Sequence, residues 1–192
     1  MLNIQRLFKF VLSVLVILIS TNKAKAQQYF LNYSGGNNSI PLNMYLNKAQ
    51  WLYYPSEFTG GPISPGLITR IYFNHSYNGT TTIPNLILRL GMTNLTALTS
   101  GTWNTLTTVY TSTSHTFTGL VANNWASITL QTPFYYDGTS NLIFEMGQSG
   151  NAGGITVYQG SQNNNRRMYG ETALAASTGA DFTQMAFGFD MT

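Results

Sequence analysis

The chain has 192 residues, 43% hydrophobic and only 8% charged, with nine Lys and Arg, six Asp and Glu, and no cysteine. That length is enough for one sizeable core, and the missing cysteines exclude disulfide staples and thiol nucleophiles. Charge this sparse offers no stripe of Lys and Arg able to neutralise a phosphate backbone, so nucleic acid is excluded as a partner.

Residues 1–26 read as an export signal. Arg6 and Lys9 form a basic head, and residues 10–19 form an apolar run shorter than the roughly 20 residues a spanning helix needs. Ala24-Lys25-Ala26 then supplies the small-x-small pattern of a cleavage site. Cleavage after Ala26 would start the mature chain at Gln27, leave nothing that spans a membrane, and place the product outside the cell or at its surface. Four of the nine basic residues and none of the acids lie in 1–26, so the formal charge moves from +3 to −1, five basic against six acidic.

From there on, apolar residues alternate with period two, the mark of half-buried strands. Weak candidates come first, "YFLNY" and "QWLYY". In "TRIYFN", Ile71 and Phe73 share one face, opposite Arg70 and Tyr72. Leu86, Leu88 and Leu90 share a face in "NLILRLG". "LTTVYTS" and "HTFTG" are further weak candidates, and "WASITLQ" turns Ala126, Ile128 and Leu130 inward. "NLIFEM" sets Leu142, Phe144 and Met146 against Ile143 and Glu145. After the weak "GITVYQ", the last segment lines up Met185, Phe187, Phe189 and Met191. Turn compositions such as "SGGNNS", "MTNLTALTSGTWN" and "QSGNAGG" separate the runs. At most a turn is expected near "ETALAAS". About ten short strands, each with one apolar face, imply two antiparallel sheets packed face to face. The expected fold is a single all-β sandwich over 27–192, jelly-roll-like.

Chemistry-bearing residues are few. Residues 90–136 contain no Asp, Glu, Lys or Arg. Glu57, Asp137, Glu145, Glu171, Asp181 and Asp190 include no two that alternate on one strand, as a displayed catalytic pair would. Glu145 and Asp190 are expected on outward faces, where Arg70 and Arg89, in either combination, could pair with them across strands. Asp137-Gly138 reads as a turn, because Gly tolerates positive φ and Asp bonds its own backbone. His75 and His115 show no metal-ligand spacing and read as strand-end surface residues. No catalytic residue, metal site or cofactor is expected.

Binding is the better prospect. Arg166 and Arg167 are adjacent in a region with few cations, flanked by Asn163–Asn165 and Tyr169. Arg forks bond hydroxyls and carboxylates, and a nearby ring stacks on a sugar face. The alternative is a polar hairpin with one Arg covering an aromatic and the other solvated. Trp103 sits in a loop, as a stacking platform or a packed plug, whereas Trp125 opens a strongly alternating strand and is expected in the core. The candidate ligand-binding set is therefore Trp103, Arg166, Arg167 and Tyr169.

"ITRIYFN", "LRLGMTNLTAL", "TWNTLTTVYT", "NNWASITLQTPFYYDGTSNLIFEM" and "NNNRRMYG" occur in this order. Together they resemble an uncharacterised β-sandwich module found in secreted and cell-surface proteins of Bacteroidota. The resemblance spans roughly 40–191 and is most specific over 125–142. It implies an accessory module beside catalytic or adhesive domains and implies no activity of its own.

Taken together, these features lead to a secreted, non-catalytic sandwich for surface attachment or recognition, with a glycan or a surface protein as partner. The alternative is a structural subunit, a homo-oligomer or fibre joined by strand pairing through the uncharged 90–136 region or a free N-terminal strand. A glycoside hydrolase ranks below both.

Overall fold

Residues that alternate in the sequence do turn to one side in the structure. The computed structural model describes residues 28–42, 46–150 and 155–192, so the predicted export signal and its cleavage site lie outside the described residues. Thirteen strands are described: β1 (Tyr29–Leu31), β2 (Asn37–Asn38), β3 (Lys48–Tyr53), β4 (Gly66–Asn74), β5 (Gly79–Thr93), β6 (Thr107–Leu120), β7 (Trp125–Tyr136), β8 (Asn141–Gly147), β9 (Val157–Ser161), β10 (Arg167–Gly170), β11 (Gly179–Asp181), β12 (Thr183–Met185) and β13 (Phe187–Met191). One 3-10 turn, Pro55–Glu57, follows β3. Among the described residues no helix is long and apolar enough to cross a membrane.

Antiparallel pairing builds a four-stranded sheet, β1-β13-β4-β7, a six-stranded sheet, β11-β10-β3-β8-β5-β6, and a small third sheet, β12-β9-β2. Eight of these strands carry the topology: β1, β3, β4, β5, β6, β7, β8 and β13. Counted in that order, the two large sheets run 1-8-3-6 and 2-7-4-5, which is the jelly-roll arrangement of two Greek keys. The all-β sandwich expected from the alternation is the fold observed.

Its core lies between the two large sheets. Ile71 and Phe73 of β4, Ile128 of β7 and Phe187 and Phe189 of β13 meet Leu88 and Leu90 of β5, Trp51 of β3 and Phe144 of β8. Phe187 stacks on Phe144 at 4.7 Å and on Tyr53 at 4.9 Å, joining one sheet to the other. A second cluster, Leu52, Leu98, Ile143 and Met168, lies apart from it and is flanked by Trp103 and Leu106. Leu52 and Ile143 alternate with core residues and so face the far side of the six-stranded sheet, where the loop between β5 and β6 covers them. β3 and β8 are thereby buried on both faces.

That cover corrects one expectation. Glu145 does pair with Arg89 directly across β5 and β8, but it is 1% exposed and does not lie on a solvated face. Lys48 Nζ lies 3.5 Å from it and Gln50 Nε2 donates to it at 2.7 Å. The Gln50 amide also bonds Asn104 of the covering loop, accepting from its N at 3.2 Å and donating to its O at 3.0 Å. Asp190 and Arg70 are register partners, yet the Asp190 carboxylate accepts from the Tyr72 hydroxyl at 2.5 Å and the Gln28 N–H at 2.8 Å.

Two further expectations change. Because Ala126, Ile128 and Leu130 point inward, Trp125 must point outward; it is half-buried on the outer side of the four-stranded sheet, edge-on to Phe30 at 6.2 Å. The N-terminal strand is not free, since β1 pairs with β13 and Phe30 bridges Thr59 on its other side.

The Asp137 turn behaves as read. Its carboxylate accepts from the N–H groups of Thr139 and Ser140 at 2.8 Å each and from the Ser140 hydroxyl at 2.6 Å. Those bonds, led by Ser140, hold its carboxyl below the usual carboxylate range. Gly138 follows at φ 74°, where an added Cβ would overlap the Ile63 carbonyl oxygen. Gly138→Ala is therefore expected to cost more than about 1 kcal/mol in urea unfolding, a size that strain at positive φ can reach.

Candidate functional site

The structure places the four candidate binding residues in two internal networks and a loop, without a common cleft. Arg166, 4% exposed, forms a two-pronged pair with Glu57, Nη2 to Oε1 at 2.9 Å and Nη1 to Oε2 at 3.1 Å. Its Nε donates to Asn164 Oδ1 at 2.8 Å, and its guanidinium lies 3.5 Å over the Tyr54 ring. Glu57 Oε2 also accepts from Gln184 Nε2 at 2.9 Å and Tyr54 N at 2.8 Å. Gln184 in turn accepts from the Tyr33 hydroxyl at 2.5 Å. Burial, with Glu57 nearby, pushes that hydroxyl up to about 12.

Arg167 turns the opposite way, as neighbouring strand residues do. Its Nε lies 3.1 Å from Asp181 Oδ1 and its Nη2 2.5 Å from Oδ2. The guanidinium sits 4.9 Å over Tyr169, so these two predicted residues do come together. Trp103 donates Nε1–H to the Leu174 carbonyl at 3.2 Å, and Lys48 Nζ lies 4.2 Å over its ring. Neither Arg is the solvated member of a hairpin. Both are buried, because β11 and the turn at Glu57 supply a carboxylate on each side of β10.

The histidines change place more. His75 is 1% exposed, and its Nδ1 accepts from the Tyr77 N–H at 3.2 Å. With Nδ1 an acceptor, the neutral ring carries its proton on Nε2, and that buried atom has no hydrogen-bond partner in the structure. His115 lies within β6, its Nδ1 2.7 Å from the Tyr110 hydroxyl. Burial lowers the pKa of both imidazoles, which keeps them neutral.

Both rings line one cleft of about 420 Å³ with residues 116–121 of β6 and its turn, Asn124, and Trp125 to Ser127 of β7. It opens where consecutive strands β6 and β7 part, one ending the six-stranded sheet and the other the four-stranded sheet. Its lining residues are His75 and His115, Trp125, the hydroxyl-bearing Thr116, Thr118 and Ser127, and Asn124 among others, with no charged residue. Hydroxyl, amide and imidazole groups of this kind can exchange hydrogen bonds with an uncharged partner. Sequence reasoning missed it because its walls lie on two sheets, and the crossing from β6 to β7, whose turn bonds the His75 backbone through Asn123 and Asn124, brings His75 to His115.

Acid should weaken the fold through these rings. Their folded pKa lies below the unfolded value, so stability is full above the ordinary imidazole pKa and falls as pH drops through it. Urea midpoints measured from pH 8 down to 5 should decline, and His75→Phe should flatten the slope.

No family model, curated protein or solved structure matches this chain.

Proposed function

We propose that the protein is an exported, non-catalytic jelly-roll module for surface attachment or recognition, and that it takes an uncharged carbohydrate in the cleft between β6 and β7. The observation that carries this reading is the lining of that cleft, Trp125 and two neutral histidines beside Thr, Ser and Asn residues, without a carboxylate or cation. A sugar offers an apolar C–H face to a ring and hydroxyls to polar side chains, which matches both parts of the wall. The same lining supplies no pair of carboxylates to protonate and displace a glycosidic bond. The accessory role implied by the resemblance to Bacteroidota surface modules is in keeping with binding without turnover.

The exported protein on a broad glycan array tests the reading. Binding to neutral glycans is expected, lost in Trp125→Ala and kept in Trp103→Ala, whose ring serves the covering loop. A silent array would sink the proposal. Binding that depends on Trp103 and survives loss of Trp125 would move the site to that loop.

A further inference from the structure

β6 ends the six-stranded sheet and pairs within it only with β5, over a strand of 14 residues. Proteins guard such edges with charge, proline or a covering element, since unpaired N–H and C=O groups recruit other strands. β6 contains no charged residue and no proline. Among the described residues, one side chain guards its middle. Gln131 of β7 accepts from Thr111 N at 2.9 Å and donates to Thr111 O at 2.9 Å, the two bonds a neighbouring strand would make to that residue.

The reach of Gln131 has a cause in the register. Arg70 pairs with Thr129 and Ile68 with Phe134, so residues 130–133 stand against Thr69 alone. Freed from the β4 ladder, this part of β7 can send the Gln131 amide to β6.

We propose that β6 is a self-association edge, through which two copies of this chain pair antiparallel once Gln131 releases Thr111. The occupant follows from charge. In antiparallel self-pairing about a two-fold axis each residue meets residues of the same strand, so a Lys or Glu would find its like nearby. Residues 90–136 carry none, and the strand is rich in Thr and Ser, whose hydroxyls pair across strands. The sheet already uses such a pair on the other side of β6, Thr82 with Thr116 at 2.8 Å. Thr113, two residues beyond Thr111, directs its backbone to the same open side by strand alternation.

Sedimentation of the exported protein over a range of concentrations tests this independently of glycan binding. Gln131→Ala is expected to tighten a two-copy association at least about tenfold, since two hydrogen bonds in each copy no longer compete with it. Gln131 is exposed, so the variant should stay folded, with a melting temperature only a few degrees lower from the two lost bonds. Adding Thr113→Lys to Gln131→Ala should restore the monomer by placing two ammonium groups at the shared edge. A Gln131→Ala protein no more associated than wild type, or an association indifferent to Thr113→Lys, overturns the proposal.

Discussion

Phe187→Ala is expected to lower unfolding free energy by about 3–5 kcal/mol, the range for truncating a fully buried ring. In a domain of this size that is a fall of roughly 10 °C in melting temperature, readable by calorimetry. The ring is 0% exposed and belongs to β13, while its stacking partners Phe144 and Tyr53 belong to β8 and β3 of the opposite sheet. Phe58, following the 3-10 turn, meets it edge-on at 6.3 Å. Truncation therefore opens a void at the junction of two sheets, where neither can move in without disturbing its own ladder. Phe187→Leu should lose less, because it keeps most of the volume. A change under about 1 kcal/mol would mean that the sheets repack around the gap, contrary to the close packing of interiors.

Arg166→Ala should cost about 3 kcal/mol, the lower end for breaking a buried ion pair. The lower end applies because the Glu57 side chain is still 16% exposed and keeps some contact with water. The remaining carboxylate would hold Gln184 Nε2 and the Tyr54 N–H but lose both guanidinium prongs. Glu57→Gln in the same background should recover part of the loss, and a double-mutant cycle in urea should show coupling above about 1 kcal/mol. A stable Arg166→Ala that loses glycan binding would return this residue to the ligand site and break the structural assignment.

Alternation told most of the fold. Leu86, Leu88 and Leu90, or Phe187 and Phe189, could be placed on core faces because side chains in a strand have only two directions. The same rule already placed Trp125 outside, since Ala126 and Ile128 point in; expecting an indole in the core set composition above geometry. What alternation cannot tell is what covers the second face. Glu145 looks solvated until the loop carrying Leu98, Asn104 and Leu106 is laid over it. Arg166 looks available for a ligand until Glu57, 109 residues earlier, is brought beside it. Partners at such separations leave no local mark, and the cleft at His75 and His115 was hidden for the same reason.

The pairing of β1 with β13 has a consequence in time. Residue 29 finds its register partner at residue 189, so β1 must wait for a strand made about 160 residues later. Contacts of this span make folding slow and leave β13's place beside β4 open in the interim. During that interval the inward residues of β4, Ile71 and Phe73, have no β13 alongside them. A chain emerging N-terminus first from a ribosome or a channel is therefore most vulnerable to proteases and to wrong strand partners just before β13 appears. Anything that holds the nascent chain extended over that interval acts on the one step that completes the four-stranded sheet.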